Sequence, residues 1–359
     1  MNEIRPRSFV SAQMVADRAG VSRSAVSRTF TSGASVSETT RSKVLRAAEE
    51  LGYHVNHLAR GLIRDHSNIV CLIVADITTP IRAGLVDALT RRLQAIDKVA
   101  MVINTEGESE GVSAALRQTL HYRADATVVL SGTPAASLIE TCLANGQRVV
   151  LINRDDHFAG CENLAVGNEM PAREAFFMLQ RAGCQRLAVI SSEARTASLL
   201  ERERAFLAAA EAAGMAPTLV RAGPTSYASG AAAARRVFAG SNAPDGAFCV
   251  TDLLALGFMD AARQEFGLSI PDHLCVVGFD DIEQAGWDSY RLTTFAQPLE
   301  RMADRVAQLL ASNAAGSGRD VFEAAPVWRR SVRPGPGSGS ADPSRRSRSS
   351  RKSPTVIKA

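Results

Sequence analysis

Apolar and polar positions alternate on two length scales between about residues 69 and 328. Short runs rich in Val, Ile and Leu, four to eight residues long and without strict alternation, recur along this region. Continuous apolar runs of this length are typical of strands buried on both faces of a parallel sheet. The runs predicted as strands are residues 69–74, 99–104, 126–131, 148–153, 186–191, 246–252, 274–281 and 292–295.

Longer stretches rich in Ala, Leu and Arg separate these runs, for example residues 83–96 and 199–214. Their apolar residues recur at intervals of three and four, which predicts amphipathic helices. Strands that alternate with helices imply right-handed βαβ units, hence an α/β fold with parallel sheets and helices on both faces. Because this region is too long for one comfortable sheet, we expect residues 67–332 to form two lobes.

The first 52 residues show a different pattern, with three short helices predicted around a small apolar core. Ser11, Ser22 and Ser37 are each placed to cap the start of a helix, and Gly20 and Gly52 to end the first and third. The residues expected to face inward are Met14 and Val15 in the first helix, Val26 and Phe30 in the second, and Val44, Leu45, Ala48 and Leu51 in the third.

The second of these helices leaves short polar and guanidinium groups exposed. They are Arg23, Ser24, Ser27 and Arg28. In a helix-turn-helix the second helix enters the major groove of DNA, where Arg bridges guanine O6 and N7 and helix N-termini attract phosphate. The pattern favours a helix-turn-helix head over residues 1–52, and the alternative is a helical hairpin with an ordinary solvated face.

Residues 53–66 are predicted to form a hinge segment. Asn56 can cap a short helix with Leu58, Ala59 and Leu62 on one side and Arg60 and Arg64 beside them. Such a helix is shorter than the ~12–15 residues that an isolated helix needs in water, so we expect DNA and a symmetry mate to order it. An exposed Leu on a basic helix is a plausible minor-groove wedge.

Charge is distributed unevenly along the chain, whose formal net charge is +4. Residues 1–66 carry a net charge of +4 and residues 333–359 a net charge of +6, which leaves −6 for the region between them. A basic head on an acidic body suggests that the head binds a polyanion. Residues 333–359 are rich in Pro, Gly, Ser and Arg, and we expect a disordered basic tail.

Several classes of protein are disfavoured by the sequence. No apolar run approaches the ~18 residues that span a bilayer, and the N-terminus lacks a secretory signal, so a cytoplasmic protein without membrane contact is expected. The six cysteines are scattered, which favours reduced, buried thiols. His54 and His57 share an HxxH spacing without a third ligand, and the sequence lacks GxSxG, Walker A, GxGxxG and HExxH signatures. We therefore expect no enzyme, cofactor or metal, although a solute-binding protein and an α/β enzyme are the rival interpretations.

The stretch VADRAGVSRSAVSRTFTSGASVSETTRSKVLRAAEELGYHVNHLARGL resembles the head and hinge of the lactose-repressor (LacI/GalR) family of bacterial transcription regulators. Further blocks of that family recur in order, among them VVLINRD, RERAFLAAAEAAG, CVTDLLALGFMDA, IPDHLCVVGFDDIE and LTTFAQPLERMA. The resemblance covers roughly residues 10–328. It implies a homodimeric repressor whose operator is a pseudo-palindromic DNA duplex and whose affinity is controlled allosterically by a small molecule.

The resemblance also implies DNA-contacting residues. Arg23, Ser24 and Arg28 would read bases in the major groove, with Ser11, Ser22 and Ser27 nearer phosphate. Leu62 would be the paired wedge at the operator centre, helped by Asn56, Ala59 and Arg60. Two positions depart from the family pattern, because Val55 replaces a common Pro and Ala25 a usual Thr.

For the body, the resemblance implies a periplasmic-binding-protein-like effector domain with a sugar or sugar acid between its lobes. The implied effector residues are Asp76, Thr79, Asn153, Arg154, Ser198, Arg202, Asp252 and Trp287. Asp252 and Arg202 are expected to hold a diol or heterocycle from opposite sides, and Trp287 to stack on a ring face. As alternatives, Asp252 caps the helix that follows it, Asp280 and Asp281 are structural, and Arg154 is a surface residue.

Overall fold

The computed structural model describes residues 9–31, 33–54, 66–105, 109–131, 134–153, 158–240, 242–312 and 318–334. The hinge residues Asn56, Ala59, Arg60 and Leu62 lie outside this part of the chain, as do Arg154 and the tail from residue 335 onward. The chain divides into two compact units, one formed around the head with Arg123–Asp125 and one that contains the body. In the described ranges no helix is both long and apolar enough to cross a membrane.

Three helices form the head. They are α1 (Ala12–Ala19), α2 (Arg23–Thr29) and α3 (Glu38–Leu51). The hydroxyl oxygens of Ser11, Ser22 and Ser37 each accept a hydrogen bond from the backbone N–H three residues on, at 3.3, 3.2 and 3.3 Å. Gly20 and Gly52 end α1 and α3 in the left-handed region, with φ of 66° and 63°. The predicted caps and stops are therefore confirmed.

A small apolar core holds these helices together. Its buried side chains are Val15, Ala16, Val26, Val44, Ala47 and Ala48. The inward orientation predicted for Met14 and Leu45 is wrong, because these side chains are 45% and 46% exposed. Leu45 lies one position, and hence about 100°, round the helix from the buried Val44, and Met14 stands in the same relation to Val15.

The body contains twelve described strands and eight described helices. The strands are β1 (Ile69–Ala75), β2 (Val99–Thr105), β3 (Ala126–Val129), β4 (Arg148–Ile152), β5 (Glu162–Gly167), β6 (Leu187–Ser191), β7 (Thr218–Arg221), β8 (Gly246–Cys249), β9 (Cys275–Val277), β10 (Thr294–Ala296), β11 (Arg319–Glu323) and β12 (Ala325–Val327). The helices are α4 (Pro80–Ala95), α5 (Ser109–His121), α6 (Ala136–Ala144), α7 (Glu169–Arg181), α8 (Ala197–Ala212), α9 (Tyr227–Phe238), α10 (Asp252–Gln264) and α11 (Leu299–Ala311).

The first lobe is built on a six-stranded parallel sheet in the order β11-β5-β4-β3-β1-β2. Side chains of α4 and α11 pack with one face of this sheet, and side chains of α5 and α6 pack with the other. Strands β1 and β3 are buried along their whole length, as predicted. The same prediction is wrong for β2, whose Val99 and Val102 are 61% and 41% exposed, because β2 is an edge strand.

The second lobe holds a four-stranded parallel sheet in the order β7-β6-β8-β9. Strand β10 pairs instead with β12, antiparallel, and a 3-10 helix (Glu283–Gly286) lies between β9 and β10. The two-lobed α/β prediction is confirmed. The sequence does not predict β5, β7, β11 and β12. Strand β5 begins with two polar residues, Glu162 and Asn163, β7 and β11 lie at sheet edges, and β12 is three residues long and contains a proline.

The chain passes between the lobes three times. It leaves the first lobe between β5 and α7, returns between β10 and α11, and leaves again between β11 and β12. The loops that follow β1, β4, β5, β8 and β9 all start at carboxyl ends of parallel strands. In open α/β sheets ligands bind at this edge.

Helices α9 and α10 cross in close contact at two glycines. A Cβ on Gly230 would lie 2.0 Å from the carbonyl oxygen of Leu254, and a Cβ on Gly257 would lie 1.9 Å from that of Tyr227. Because no larger side chain fits between the two backbones, both glycines are required for this crossing.

Candidate nucleic-acid interface and effector site

The second helix of the head presents the polar face that its sequence predicts. Arg23, Ser24, Ser27 and Arg28 are all exposed, while Val26 between them is fully buried. The Arg28 Nε donates to the carbonyl oxygen of Ser24 at 3.4 Å. The arrangement offers two guanidinium forks and two small polar residues on one short helix.

Two serines at helix starts are exposed beside this face. Ser11 and Ser22 use a lone pair for their caps, and the hydroxyl oxygens of Ser22 and Ser24 lie 2.9 Å apart. A hydroxyl that accepts a capping bond keeps its own O–H for a phosphate oxygen. Each of these two hydroxyls is therefore exposed at the start of a helix while its oxygen holds the cap.

Two arginines link the helices of the head, and sequence reasoning missed both. Arg18 of α1 forms an ion pair with Glu50 of α3 at 2.6 Å, and the Arg41 Nη1 donates to the carbonyl oxygen of Thr29 at 3.3 Å. The second bond satisfies an acceptor at the end of α2. Neither role has a local sequence signal, because each partner lies on another helix.

In the body, the central feature is the buried guanidinium of Arg202, which is 4% exposed. Its Nε donates to the Asn168 Oδ1 at 2.8 Å and its Nη1 to the Val250 carbonyl oxygen at 2.8 Å. Its Nη1 also lies 3.4 Å from the Asp280 Oδ1, and its central carbon is 3.5 Å from the centre of the Phe279 ring. Arg202 therefore joins the ends of β5, β8 and β9. We refer to Arg202, Asn168 and Asp280 as the Arg202 cluster.

Asp280 is the carboxylate of this cluster. Its Oδ1 also accepts a hydrogen bond from the Gln297 Nε2 at 2.6 Å, just before the chain returns to the first lobe. Burial raises the pKa of Asp280 to about 6, opposed by the charges of Arg202 and of Arg82 in the first lobe. Burial likewise lowers the pKa of Arg202. An uncompensated charge at this depth is costly, which explains the dense pairing.

Asp252 is arranged differently from its prediction. It is fully buried, and its two oxygens accept from the Thr294 hydroxyl at 2.5 Å and from the Ile282 backbone N–H at 3.0 Å. Burial raises the pKa of Asp252 to about 7. Its carboxylate lies against Gly278, where a Cβ would come within 2.2 Å of the Oδ1.

Asp252 and Arg202 are expected to hold a ligand from opposite sides. In the structure Arg202 pairs with Asp280, and the buried Asp252 ties the segments after β9 to the start of α10. The capping role considered for Asp252 is also wrong, because the hydroxyl of Thr251 caps α10 and Asp252 is its first residue. Asp280 was interpreted as structural from sequence, and Asn168 and Gln297 were missed. The only sequence signal for these residues is that each is a polar residue soon after a buried apolar run.

The first-lobe residues lie at the corresponding ends of their own strands. Asp76 follows β1 with φ of 49°, and its Oδ2 accepts from the Arg82 Nη1 at 2.9 Å. Asn153 follows β4 with φ of 53°, and its Oδ1 accepts from the Val166 N–H at 2.8 Å. Thr79 precedes α4 without a capping bond from its side chain. These side chains are held by strand ends rather than by long loops.

Two further predicted residues lie in the second lobe. Ser198 is partly buried in the first turn of α8, and Trp287 is 51% exposed directly after the 3-10 helix. Asp281, beside Asp280, forms an ion pair with Arg329 at 2.6 Å. This bond supports the structural interpretation for Asp281 alone. Among the described residues no group of three or more His, Cys, Asp and Glu side chains is arranged to hold a metal ion.

Comparison with family models matches two parts of the chain. Residues 13–56 match bacterial regulatory proteins of the lacI family, and residues 178–332 match a periplasmic binding protein-like domain. The chain is 29% identical over 311 residues to the HTH-type transcriptional regulator GalS of Salmonella typhimurium, covering 86% of this chain and 91% of that protein. It is also 29% identical over 319 residues to the HTH-type transcriptional regulator CelR of Thermobifida fusca, covering 85% and 92%. These relatives are named as transcriptional regulators rather than enzymes.

Solved structures agree with the fold. A lac repressor dimer bound to operator and the anti-inducer ONPF superposes with a TM-score of 0.82 at 22% identity, covering 90% of this chain and 99% of that chain. A complex of the transcriptional regulator CelR with cellobiose superposes with a TM-score of 0.65 at 25% identity, covering 91% and 100%.

Proposed function

Because the chain belongs to the lacI family of bacterial regulatory proteins, we propose that it is a homodimeric repressor that binds an operator and responds to a sugar or sugar acid. The observation that carries this proposal is the polar face of α2, where four exposed Arg and Ser side chains surround a buried Val26. The protein acts on DNA in the cytoplasm and catalyses no reaction.

On the operator, α2 lies in the major groove, where Arg23, Ser24 and Arg28 contact base edges. Ser11, Ser22 and Ser27 contact phosphate, and the hinge residues Asn56, Ala59, Arg60 and Leu62 bind and bend the centre of the site. A bidentate contact from Arg to guanine contributes about 1–3 kcal/mol of discrimination against the wrong base. Contacts to phosphate add affinity without sequence preference.

Selection of bound duplexes from a random DNA pool at about physiological salt tests this interface, because non-specific binding is weak there. We expect an enriched pseudo-palindrome, and Arg23→Ala should lose preference at one base pair in each half-site. The matched control is Arg46→Ala, which removes the same charge from an exposed position on α3. Equal losses of sequence preference in the two variants would show that α2 does not read bases.

For the effector, the Arg202 cluster forms the floor of the site. Among the described residues, Arg202 and Gln297 both approach the Oδ1 of Asp280, so the Oδ2 can accept from a ligand hydroxyl. The remaining ligand-contacting residues are Asp76, Thr79, Asn153, Arg154, Ser198 and Trp287. Asp252 positions the loop after β9 and does not contact the ligand. Two guanidinium groups, Arg82 and Arg202, favour a ligand that carries an anionic group.

Effector binding is tested by calorimetric titration of a panel of neutral sugars and sugar acids. We expect binding by at least one sugar acid, with a change in operator affinity of roughly 5- to 150-fold, as a coupling of about 1–3 kcal/mol gives. Ser198→Ala should weaken binding, while Ser289→Ala, at a serine beyond Trp287, should not. Binding by neutral sugars alone would contradict the anionic assignment.

Dimerisation is supported by the edge of the first-lobe sheet. Val99 and Val102 are exposed on β2, the last strand in the order of the described sheet, and a second copy would cover them. Sedimentation of the full chain should give a dimer at micromolar concentration. Replacement of Val102 by Lys should shift the equilibrium towards monomer and weaken operator binding in parallel.

A further inference from the structure

Two buried cysteines meet at the amino ends of the second-lobe strands, opposite the effector edge. Cys184 precedes β6 and Cys275 begins β9, and the two thiols are near enough to shift each other's pKa. The Cys184 Sγ donates to the Asp245 carbonyl oxygen at 3.4 Å, and the Cys275 Sγ donates to the Pro271 carbonyl oxygen at 3.7 Å. Strand β8 lies between them and passes at Gly246, which pairs with Cys275. A Cβ on Gly246 would lie 2.9 Å from the Cys184 sulfur, so a glycine here lets the two thiols meet.

Arg333 binds both sulfurs. Its Nη2 donates to the Cys184 Sγ at 3.5 Å and its backbone N–H donates to the Cys275 Sγ at 3.5 Å. The remaining donors of its guanidinium reach the carbonyl oxygens of Ala182, Pro271 and Asp272 at 2.8, 3.1 and 3.2 Å. Residue 333 is therefore anchored to the body, although the sequence predicted the tail to begin there.

This environment gives the two thiols different pKa values. The neighbouring Cys184 thiol, the backbone N–H of Arg333 and the Arg333 charge together lower the pKa of Cys275 to about 7 against the effect of burial. The neighbouring Cys275 thiol and burial raise the pKa of Cys184. Cys275 is therefore the member of the pair that ionises more readily, and the thiolate is the nucleophilic form of cysteine.

We propose that Cys184 and Cys275 form an intramolecular redox site, which a hydroperoxide converts to a disulfide. A surface cavity of about 130 Å³ lies at this end of the sheet. Its lining includes Arg186, Pro244 and Gln185, the residue that follows Cys184. Neither cysteine lines this cavity, so a small peroxide reaches the sulfurs from it through local opening of the fold. Six buried cysteines are present, and this is the pair that shares an arginine.

The chemistry balances in two steps. The Cys275 thiolate attacks one peroxide oxygen, so that an S–O bond forms, the O–O bond breaks, and the leaving alkoxide or hydroxide takes up a proton. The Cys184 sulfur then loses its proton and attacks the sulfenic sulfur, so that the S–S bond forms and hydroxide departs as water. Two thiols lose two electrons and two protons, and the peroxide is reduced to an alcohol, or water, and one further water.

The test is treatment of the reduced full chain with hydrogen peroxide, followed by unfolding, alkylation, digestion and mass spectrometry. We expect a peptide pair joined through Cys184 and Cys275, two hydrogens lighter than the separate peptides and separated again by reductant. The matched control inside the chain is Cys142 and Cys161, neighbouring buried thiols whose pKa values are raised, that of Cys161 to about 11. The Cys184–Cys275 link should form at least about tenfold faster than any link in that control pair.

A variant separates activation from proximity. Arg333→Gln keeps the backbone N–H and removes the charge, so it should slow the link several-fold and leave the control pair unchanged. The proposal is overturned if both Cys184 and Cys275 are fully alkylated after peroxide treatment. It is equally overturned if the control pair links at the same rate, or if the link is found between two chains on a non-reducing gel.

Discussion

Replacement of Gly257 by Ala tests the close crossing of α9 and α10. The added Cβ would lie 1.9 Å from the Tyr227 carbonyl oxygen and 3.0 Å from the Ala231 nitrogen. Since ordinary Cβ contacts begin at 3.4 Å, the helices must separate by about 1.5 Å at this point. Both opposing atoms belong to the backbone, so no side-chain rotation relieves the clash.

The expected loss of stability follows from this geometry. Overpacking of a core costs typically about 1–3 kcal/mol, and a clash with rigid backbone belongs at the upper end of that range. For a unit of this size, about 3 kcal/mol lowers the midpoint of thermal unfolding by roughly 5 °C. The assay is tryptophan fluorescence, because both tryptophans of the chain, Trp287 and Trp328, lie in the body.

The matched control is Gly240→Ala, at an exposed position where an added Cβ meets nothing within 4 Å. This substitution should change the free energy of unfolding by no more than about 0.5 kcal/mol. If Gly257→Ala unfolds within about one degree of Gly240→Ala, the crossing is looser than described and the reasoning fails.

Three further outcomes are expected. Between pH of about 4 and 7, Asp252 holds a proton in the folded state that the unfolded state has lost, so its contribution to the free energy of unfolding falls as pH rises. Asp252→Asn should make the free energy of unfolding depend less steeply on pH in denaturant titrations. An unchanged slope would contradict the pKa of about 7 for Asp252. Ser37→Ala removes the bond to the Thr40 N–H and should destabilise the head by about 1 kcal/mol in thermal unfolding followed by circular dichroism, whereas an unchanged midpoint would deny the cap a role. Leu62→Ala should reduce operator bending in a gel assay while leaving effector affinity intact, and full bending by the variant would refute the wedge.

Features set by a few neighbouring residues could be predicted from the sequence. The caps at Ser11, Ser22 and Ser37 and the stops at Gly20 and Gly52 depend on backbone chemistry within three or four residues. Most of the buried strands could be predicted as well, because β1 is apolar at every position and β3 at all but Thr127. The buried strand β5 is the exception, since it begins with Glu162 and Asn163. In these elements the structure depends only on residues that are close together in the sequence.

The partners of the buried charges could not be predicted in this way. Arg202 and Asp280 are 78 residues apart in the chain, and which of two neighbouring buried carboxylates meets the guanidinium depends on how β8 and β9 end. Asp252 and Asp280 both follow apolar runs and carry the same local signal. Edge strands such as β7 and β11 could not be predicted for a related reason, since an edge strand lacks the continuous apolar pattern that identifies a central strand.

The three passages between the lobes determine the order in which the body can be completed during synthesis. The Met302 and Val306 side chains of α11 close the face of the first lobe that α4 leaves open, and Arg91 binds Glu300 at 2.7 Å. A nascent chain therefore carries an uncovered apolar surface on its first lobe until the whole second-lobe sheet has emerged. A protein truncated after β10 would keep every effector residue proposed here. It would still lack α11, the helix that covers the apolar face of the first lobe.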